Sequence, residues 1–134
     1  MPYEYEINDL AKGEAWRMFR IIGELVEGFD KLADVEPAVS IYGSARIKPG
    51  DKLYAVTEEI AHGLGEIGFS VITGGGPGVM EAANKGALRA GVKSIGLNIE
   101  LPEEQHSNAY TTKSITFSHF FIRKIMLVKY AVAF

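Results

Sequence analysis

The chain has 134 residues, 47% hydrophobic and 23% charged, with a formal charge of −3, the composition of one ordinary soluble domain with apolar residues enough for a core. Its basic residues are dispersed, which argues against general binding to nucleic acid or an anionic membrane, and the lack of cysteine excludes disulfides, thiolate metal sites and cysteine nucleophiles. The stretch from Met1 to Glu6 is acidic and polar, and no apolar run approaches the roughly 18 residues of a membrane span, so neither signal peptide nor anchor is visible and a cytoplasmic location is expected.

Between Glu14 and Leu32 the residues Met18, Ile22, Leu25, Phe29 and Leu32 recur at helical steps, with Phe19, Ile21 and Val26 widening the stripe, which predicts an amphipathic helix. Ala38 to Tyr42, bounded by Pro37 and Gly43, predicts a first buried strand. After the turn Pro49-Gly50-Asp51, with Asp51 as capping carboxylate, Leu53, Val56, Ile60, Leu64 and Ile67 form a second helical stripe that Gly68 ends. Phe69 to Ile72 reads as the second strand. A third helix opens near Pro77-Gly78 and runs through Met80, Ala83, Ala87 and Ala90 to Gly91, its small residues suited to close packing against a sheet.

Ser94 to Asn98 gives a third strand, followed from Pro102 to Thr112 by a long polar connection of the kind that is often functional. Ser114 to Phe117 is a short strand, His119 to Tyr130 a helix, and Phe134 falls in a strand after it. Strands alternating with helices imply right-handed crossovers, hence an α/β fold: a Rossmann-like, doubly wound parallel sheet with helices on both faces. The chain reads as one nucleotide-binding domain, 1–134, with an N-terminal helical extension over 1–36 and an α/β core over 37–134. The closing run Tyr130 to Phe134 is apolar, without a polar tail, so the core is expected to be cut short at its C-terminal side, leaving an open sheet edge and a tendency to associate.

In open parallel sheets, ligands collect at the carboxyl ends of the strands, where helix amino termini present unpaired N–H groups. Thr73-Gly74-Gly75-Gly76-Pro77-Gly78 lies at such a place, and its glycines let N–H groups approach a phosphate with no Cβ intervening. The run is not a dinucleotide fingerprint, because Val79 stands where a third small residue is needed. Nor is it a P-loop, because Val79-Met80-Glu81 replaces the Gly-Lys-Ser/Thr that reaches terminal phosphates. Tyr42-Gly43-Ser44-Ala45-Arg46 ends the first strand at the same edge, with a hydroxyl and a guanidinium able to complete a phosphate or ribose site or simply to make a turn.

Arg123 stands in a mostly apolar helix beside Lys124 and must reach an edge or an anion, since an unpaired cation in a core is costly; a solvated face is the alternative. His62, His106 and His119 lack neighbours at metal-ligand spacing, which predicts no metal site, and Glu81 at a helix start suits the helix dipole.

Three segments in order, Ile41 to Arg46, Thr73 to Asn84 and Phe120 to Lys124, resemble the LOG family, long labelled "possible lysine decarboxylase", and the likeness extends over nearly the whole chain. The amino-terminal helix and Gly96 to Pro102 resemble its longer, bacterial subgroup. The resemblance implies a phosphoribohydrolase that cleaves AMP or cytokinin riboside 5′-monophosphates to free base and ribose 5-phosphate, acting as a homodimer and needing no cofactor. It implies Arg123 as a catalytic residue and Gly43, Ser44, Thr73, Gly74, Gly75, Gly76, Gly78, Met80 and Lys124 as nucleotide- or phosphate-binding, with Asn98 and Glu104 as further substrate contacts. The family's other catalytic residue, a glutamate in a later Pro-Gly-Gly-x-Gly-Thr-x-x-Glu motif, would be expected just beyond Phe134. A non-catalytic nucleotide-binding protein, a carrier resembling the molybdenum-cofactor carriers, or an inactive fragment are the alternatives. No Schiff-base lysine with its partners can be assigned, so pyridoxal chemistry is set aside.

Overall fold

The computed structural model describes residues 13–103 and 107–134. Its elements, in chain order, are α1 (Glu14–Lys31), β1 (Ala38–Ser40), α2 (Lys52–Glu66), β2 (Ser70–Thr73), α3 (Val79–Arg89), β3 (Ser94–Ile99), β4 (Lys113–Phe117), α4 (Phe120–Lys129) and β5 (Ala131–Ala133). The five strands form one sheet in the order β4-β3-β2-β1-β5, every neighbouring pair parallel. This is the α/β Rossmann-like arrangement expected from the alternation of strands and helices.

The topology dictates which helix covers which face. From β1 the chain steps through β2 and β3 to β4, then returns to place β5 on the other side of β1. With right-handed crossovers, the outward steps put α2 and α3 on one face and the return step puts α4 on the other. The core divides accordingly. Ile72, Ile95, Leu97, Ile115 and Phe117 pack with Ile122, Met126 and Leu127 of α4 and with Ile21, Leu25 and Leu32 at α1, while Val71 on the opposite face packs with Ala61, Ala83 and Ala87. Val71 and its neighbour Ile72 thus serve different layers, as the period-two alternation of a strand requires.

The faces of α1 and α2 differ from those suggested by their largest side chains. On α1 the packed residues are Ile21, Leu25 and the buried Gly28, against which Met126 lies closely, whereas Met18, Phe19, Ile22, Val26 and Phe29 are exposed. On α2, Tyr54, Ala61 and Gly65 are buried, and Leu53, Val56, Ile60 and Ile67 are exposed. The reason is close helix packing: Gly65 meets Ala90 and Val92, and Gly86 sits against the backbone of Glu58 and His62, so small residues, not bulky ones, mark the contact.

Other local expectations also shift. Asp51 is the N-cap of α2, but its carboxylate accepts the Lys48 N–H at 2.8 Å and makes no bond to the helix it precedes. Gly68 has φ +100° beyond the α2 terminus, where Phe69 N–H donates to Leu64 O at 3.0 Å, the left-handed helix stop its position suggested. Glu24 of α1 accepts from Ser118 N–H and pairs with His119, fastening α1 to the start of α4. No described helix is long and apolar enough to cross a membrane.

Two glycines in helix interiors separate packing from propensity. A Cβ at Gly86 would fall 2.9 Å from the Ala61 Cβ, whereas one at Gly63 meets nothing within 4 Å. Gly63→Ala is therefore expected to stabilise by about 0.5–1 kcal/mol through helix propensity, and Gly86→Ala to destabilise by about 1–3 kcal/mol through overpacking. Urea denaturation checks both signs; stabilisation by Gly86→Ala would contradict the close α2–α3 contact.

Candidate functional site

At the carboxyl ends of β2 and β3 lies a cavity of about 420 Å³, within the size range of small-molecule sites. Gly74, Gly76 and Pro77 of the turn after β2 line it, with Met80 and Glu81 of α3, Ala45 after β1, Asn98 and Ile99 of β3, Asn108, and Arg123 of α4. One site thus draws on residues from five separate parts of the chain.

The glycine turn is fixed from below by a buried polar network. Thr73 Oγ1 accepts the Gly75 N–H at 3.0 Å and donates to Asn84 Oδ1 at 2.6 Å. Asn84, fully buried, donates through Nδ2 to Ser94 Oγ at 2.9 Å and to Ile95 O at 3.3 Å, and its Oδ1 also accepts from Asn108 Nδ2 at 2.9 Å. Asn108 ties the turn's outer side, donating its backbone N–H to Gly75 O at 2.8 Å and Nδ2 to Gly76 O at 3.0 Å. Every hydrogen-bonding position of the Asn84 amide is used, so the network holds the turn in one shape.

Two of the turn's glycines are required by geometry. Gly75 has φ +78° and abuts the Asn98 side chain; Gly78 has φ +74° and abuts the backbone of Ser44 and Ala45. Both combine a left-handed backbone with a contact that leaves no room for a side chain. Gly78 is the N-cap of α3, and the first helical N–H, that of Val79, donates to Ser44 O at 2.9 Å. The amides of Met80 and Glu81 belong to the first turn, whose N–H groups have no acceptor within the helix, and they face the cavity end of α3 with its positive dipole.

Arg123 closes the opposite side. Its Nε donates to Leu97 O at 2.6 Å and its Nη2 to Gly74 O at 3.2 Å, and no carboxylate among the described residues pairs with it. Burial pushes the guanidinium pKa down from its ordinary value. A half-buried cation held by carbonyl oxygens alone, with N–H groups to spare, is an anion-binding arrangement.

Of the residues singled out in the sequence, Gly74, Gly76, Met80, Asn98 and Arg123 line the cavity together. Thr73, Gly75 and Gly78 shape the turn from behind it. Gly43 packs against Val79, and Ser44 braces the α3 terminus through its carbonyl, while its hydroxyl accepts the Arg46 N–H at 3.1 Å. Lys124 is exposed on α4 and away from the cavity lining. Glu104 lies outside the described residues.

Two further residues, Glu81 and Asn108, line the site, and Tyr54 braces one of them. Glu81, whose place at a helix start suited the dipole, lines the cavity, and its carboxylate accepts the Tyr54 hydroxyl at 2.8 Å. Asn108 was legible only as part of a polar loop. Tyr54 comes from another helix and gave no signal at all.

The fold, with the family and structural matches that follow, defines a Rossmann-like, nucleotide-related protein. The chain belongs to the SLOG cluster4 family, whose model matches residues 36–132, in line with the LOG-like motifs in the sequence. It is similar to the X-ray structure of TM1055, a Northeast Structural Genomics Consortium target, at 28% identity and a TM-score of 0.55, over 72% of this chain and 56% of that one. The chain thus spans little more than half the length of that solved relative. No curated protein matches it.

Replacing Asn84 by alanine leaves the Thr73 hydroxyl and the Asn108 amide short of an acceptor in a buried place. Asn84→Ala is expected to destabilise the fold by about 2–3 kcal/mol in urea titration. A loss below about 0.5 kcal/mol would mean that the network does not hold the turn.

Proposed function

We propose that the cavity binds a nucleoside 5′-monophosphate and that the protein acts as a phosphoribohydrolase on AMP or a cytokinin riboside monophosphate. Arg123 carries the reading: a half-buried guanidinium without a carboxylate partner among the described residues, directed at the glycine turn. The phosphate lies between that guanidinium and the amides at the start of α3, where charge-assisted bonds and the helix dipole act together. Ribose and base then extend along the remaining cavity.

In the reaction, the bond between ribose C1′ and the base nitrogen breaks, water oxygen adds to C1′, and a water proton passes to the departing base. Positive charge develops on the ribose ring, so a nearby carboxylate stabilises the transition state and Arg123 holds the phosphate–ribose portion in register. In the LOG resemblance that carboxylate belongs to a Pro-Gly-Gly-x-Gly-Thr-x-x-Glu run, which the 134 residues do not contain.

The proposal includes a homodimer, supported by the exposed apolar side chains of α1 and α2, such as Phe19, Val26, Val56 and Ile60. Light scattering is expected to give twice the chain mass at micromolar concentration; a stable monomer would count against the dimer.

Incubation with AMP followed by chromatography tests the activity: release of free adenine and ribose 5-phosphate supports the hydrolase, with Arg123→Ala then expected to be about 10²–10³ slower. AMP binding without base release would instead support a non-catalytic nucleotide-binding protein. Failure to bind AMP contradicts both readings.

A further inference from the structure

The cavity wall carries opposite charges on different elements: the Arg123 guanidinium from α4 and the Glu81 carboxylate from α3. A phosphate drawn to the first is repelled by the second, so the part of a ligand that meets Glu81 must not be anionic and must donate hydrogen bonds, because an ionised carboxylate can only accept them. Glu81 follows Gly78 by three residues, about 4.5 Å along the axis at about 1.5 Å per residue. In a nucleotide whose phosphate occupies the glycine turn, the group at that remove is the sugar with its hydroxyls. The base lies further away.

Glu81 is held in place. Tyr54, only 4% exposed, reaches over from α2 and donates its hydroxyl to Glu81 Oε2 at 2.8 Å, leaving Oε1 without a described protein donor. The Tyr54 ring is braced in turn by Lys85 Nζ, 5.9 Å from its centroid and 5.6 Å from that of Tyr110, while Lys85 also lies 3.4 Å from Glu58 Oε1. Burial and the neighbouring Glu81 push the Tyr54 hydroxyl above its ordinary value, so it remains a donor throughout the neutral range. A carboxylate fixed by a buried tyrosine, on a residue that lines the cavity, loses little freedom when a ligand arrives.

We propose that Glu81, positioned by Tyr54, accepts hydrogen bonds from the ribose hydroxyls and so makes the cavity selective for ribonucleotides over deoxyribonucleotides. This rests on the nucleoside monophosphate reading and deepens it. Glu81 is the specificity-determining group, and Tyr54 is a positioning residue that acts through it. A site built to hydrogen-bond a hydroxyl discriminates strongly against the analogue lacking it, because the buried partner is then left unpaired.

Calorimetric titration of the 134-residue chain with AMP, 2′-deoxy-AMP, 3′-deoxy-AMP and inosine 5′-monophosphate tests this. AMP is expected to bind about tenfold or more tighter than at least one deoxy analogue, the ratio that one lost hydrogen bond to a charged group produces. Inosine monophosphate, which lacks the exocyclic amine but keeps the ribose, is expected to bind like AMP. Glu81→Ala should abolish the discrimination while leaving deoxy-AMP affinity equal or higher, since a repulsive charge has gone. Tyr54→Phe should reduce the AMP to deoxy-AMP ratio part-way; a merely structural tyrosine would weaken all ligands alike.

Equal affinity for AMP and both deoxy analogues would overturn the proposal and leave the nucleotide reading standing. So would discrimination that follows inosine monophosphate, which would assign Glu81 to the base. Absence of AMP binding overturns both. If Glu81→Ala fails to fold by circular dichroism, the ligand series on the unaltered chain and on Tyr54→Phe decides.

Discussion

The guanidinium of Arg123 is held at the carboxyl edge of the sheet by two backbone carbonyls, Leu97 O and Gly74 O, and by no carboxylate among the described residues. Much of the surrounding structure serves that placement. The return of the chain from β4 through α4 to β5 brings α4 beneath the strand ends, and Ile122, Met126 and Leu127 anchor it in the core while Arg123 points to the cavity. Removing a cation from water without a counter-ion is costly, and two carbonyls compensate only part of that cost. The remainder is the physical basis for attracting an anion.

The other wall must present donors at matching range, which requires a turn with almost no side chains and no freedom to collapse. Glycine supplies the first condition, and the Thr73–Asn84–Asn108 network supplies the second. These are different kinds of constraint. Positive φ at Gly75 and Gly78 concerns the backbone alone, whereas Asn84 satisfies buried polar groups from β2, β3 and the loop after it, so that the cavity floor is continuous with the core.

The alternation of strands and helices, the glycine turn and the isolated Arg123 were legible in the sequence because each is a local pattern with one physical cause. The packed faces of α1 and α2 were legible only in part: Ile21, Leu25 and Leu32 of the α1 stripe do pack in the core. Counting large apolar residues selected Phe29 on α1 and Val56 on α2, which are exposed, whereas the helices meet their neighbours through Gly28, Ala61 and Gly65. Hydrophobic periodicity measures where bulk lies, and close approach depends on its absence. Glu81 was visible but ambiguous, since a carboxylate in a first helical turn is already explained by the dipole. Only the Tyr54 hydroxyl, arriving from a helix 27 positions earlier, gives it a second role.

A crystal structure of the chain soaked with AMP tests the central claim most directly. The phosphate is expected within hydrogen-bonding distance of the Arg123 guanidinium and of amides between Gly74 and Glu81, with the sugar toward Glu81. AMP bound elsewhere on the molecule, or a phosphate turned away from Arg123, would contradict the account.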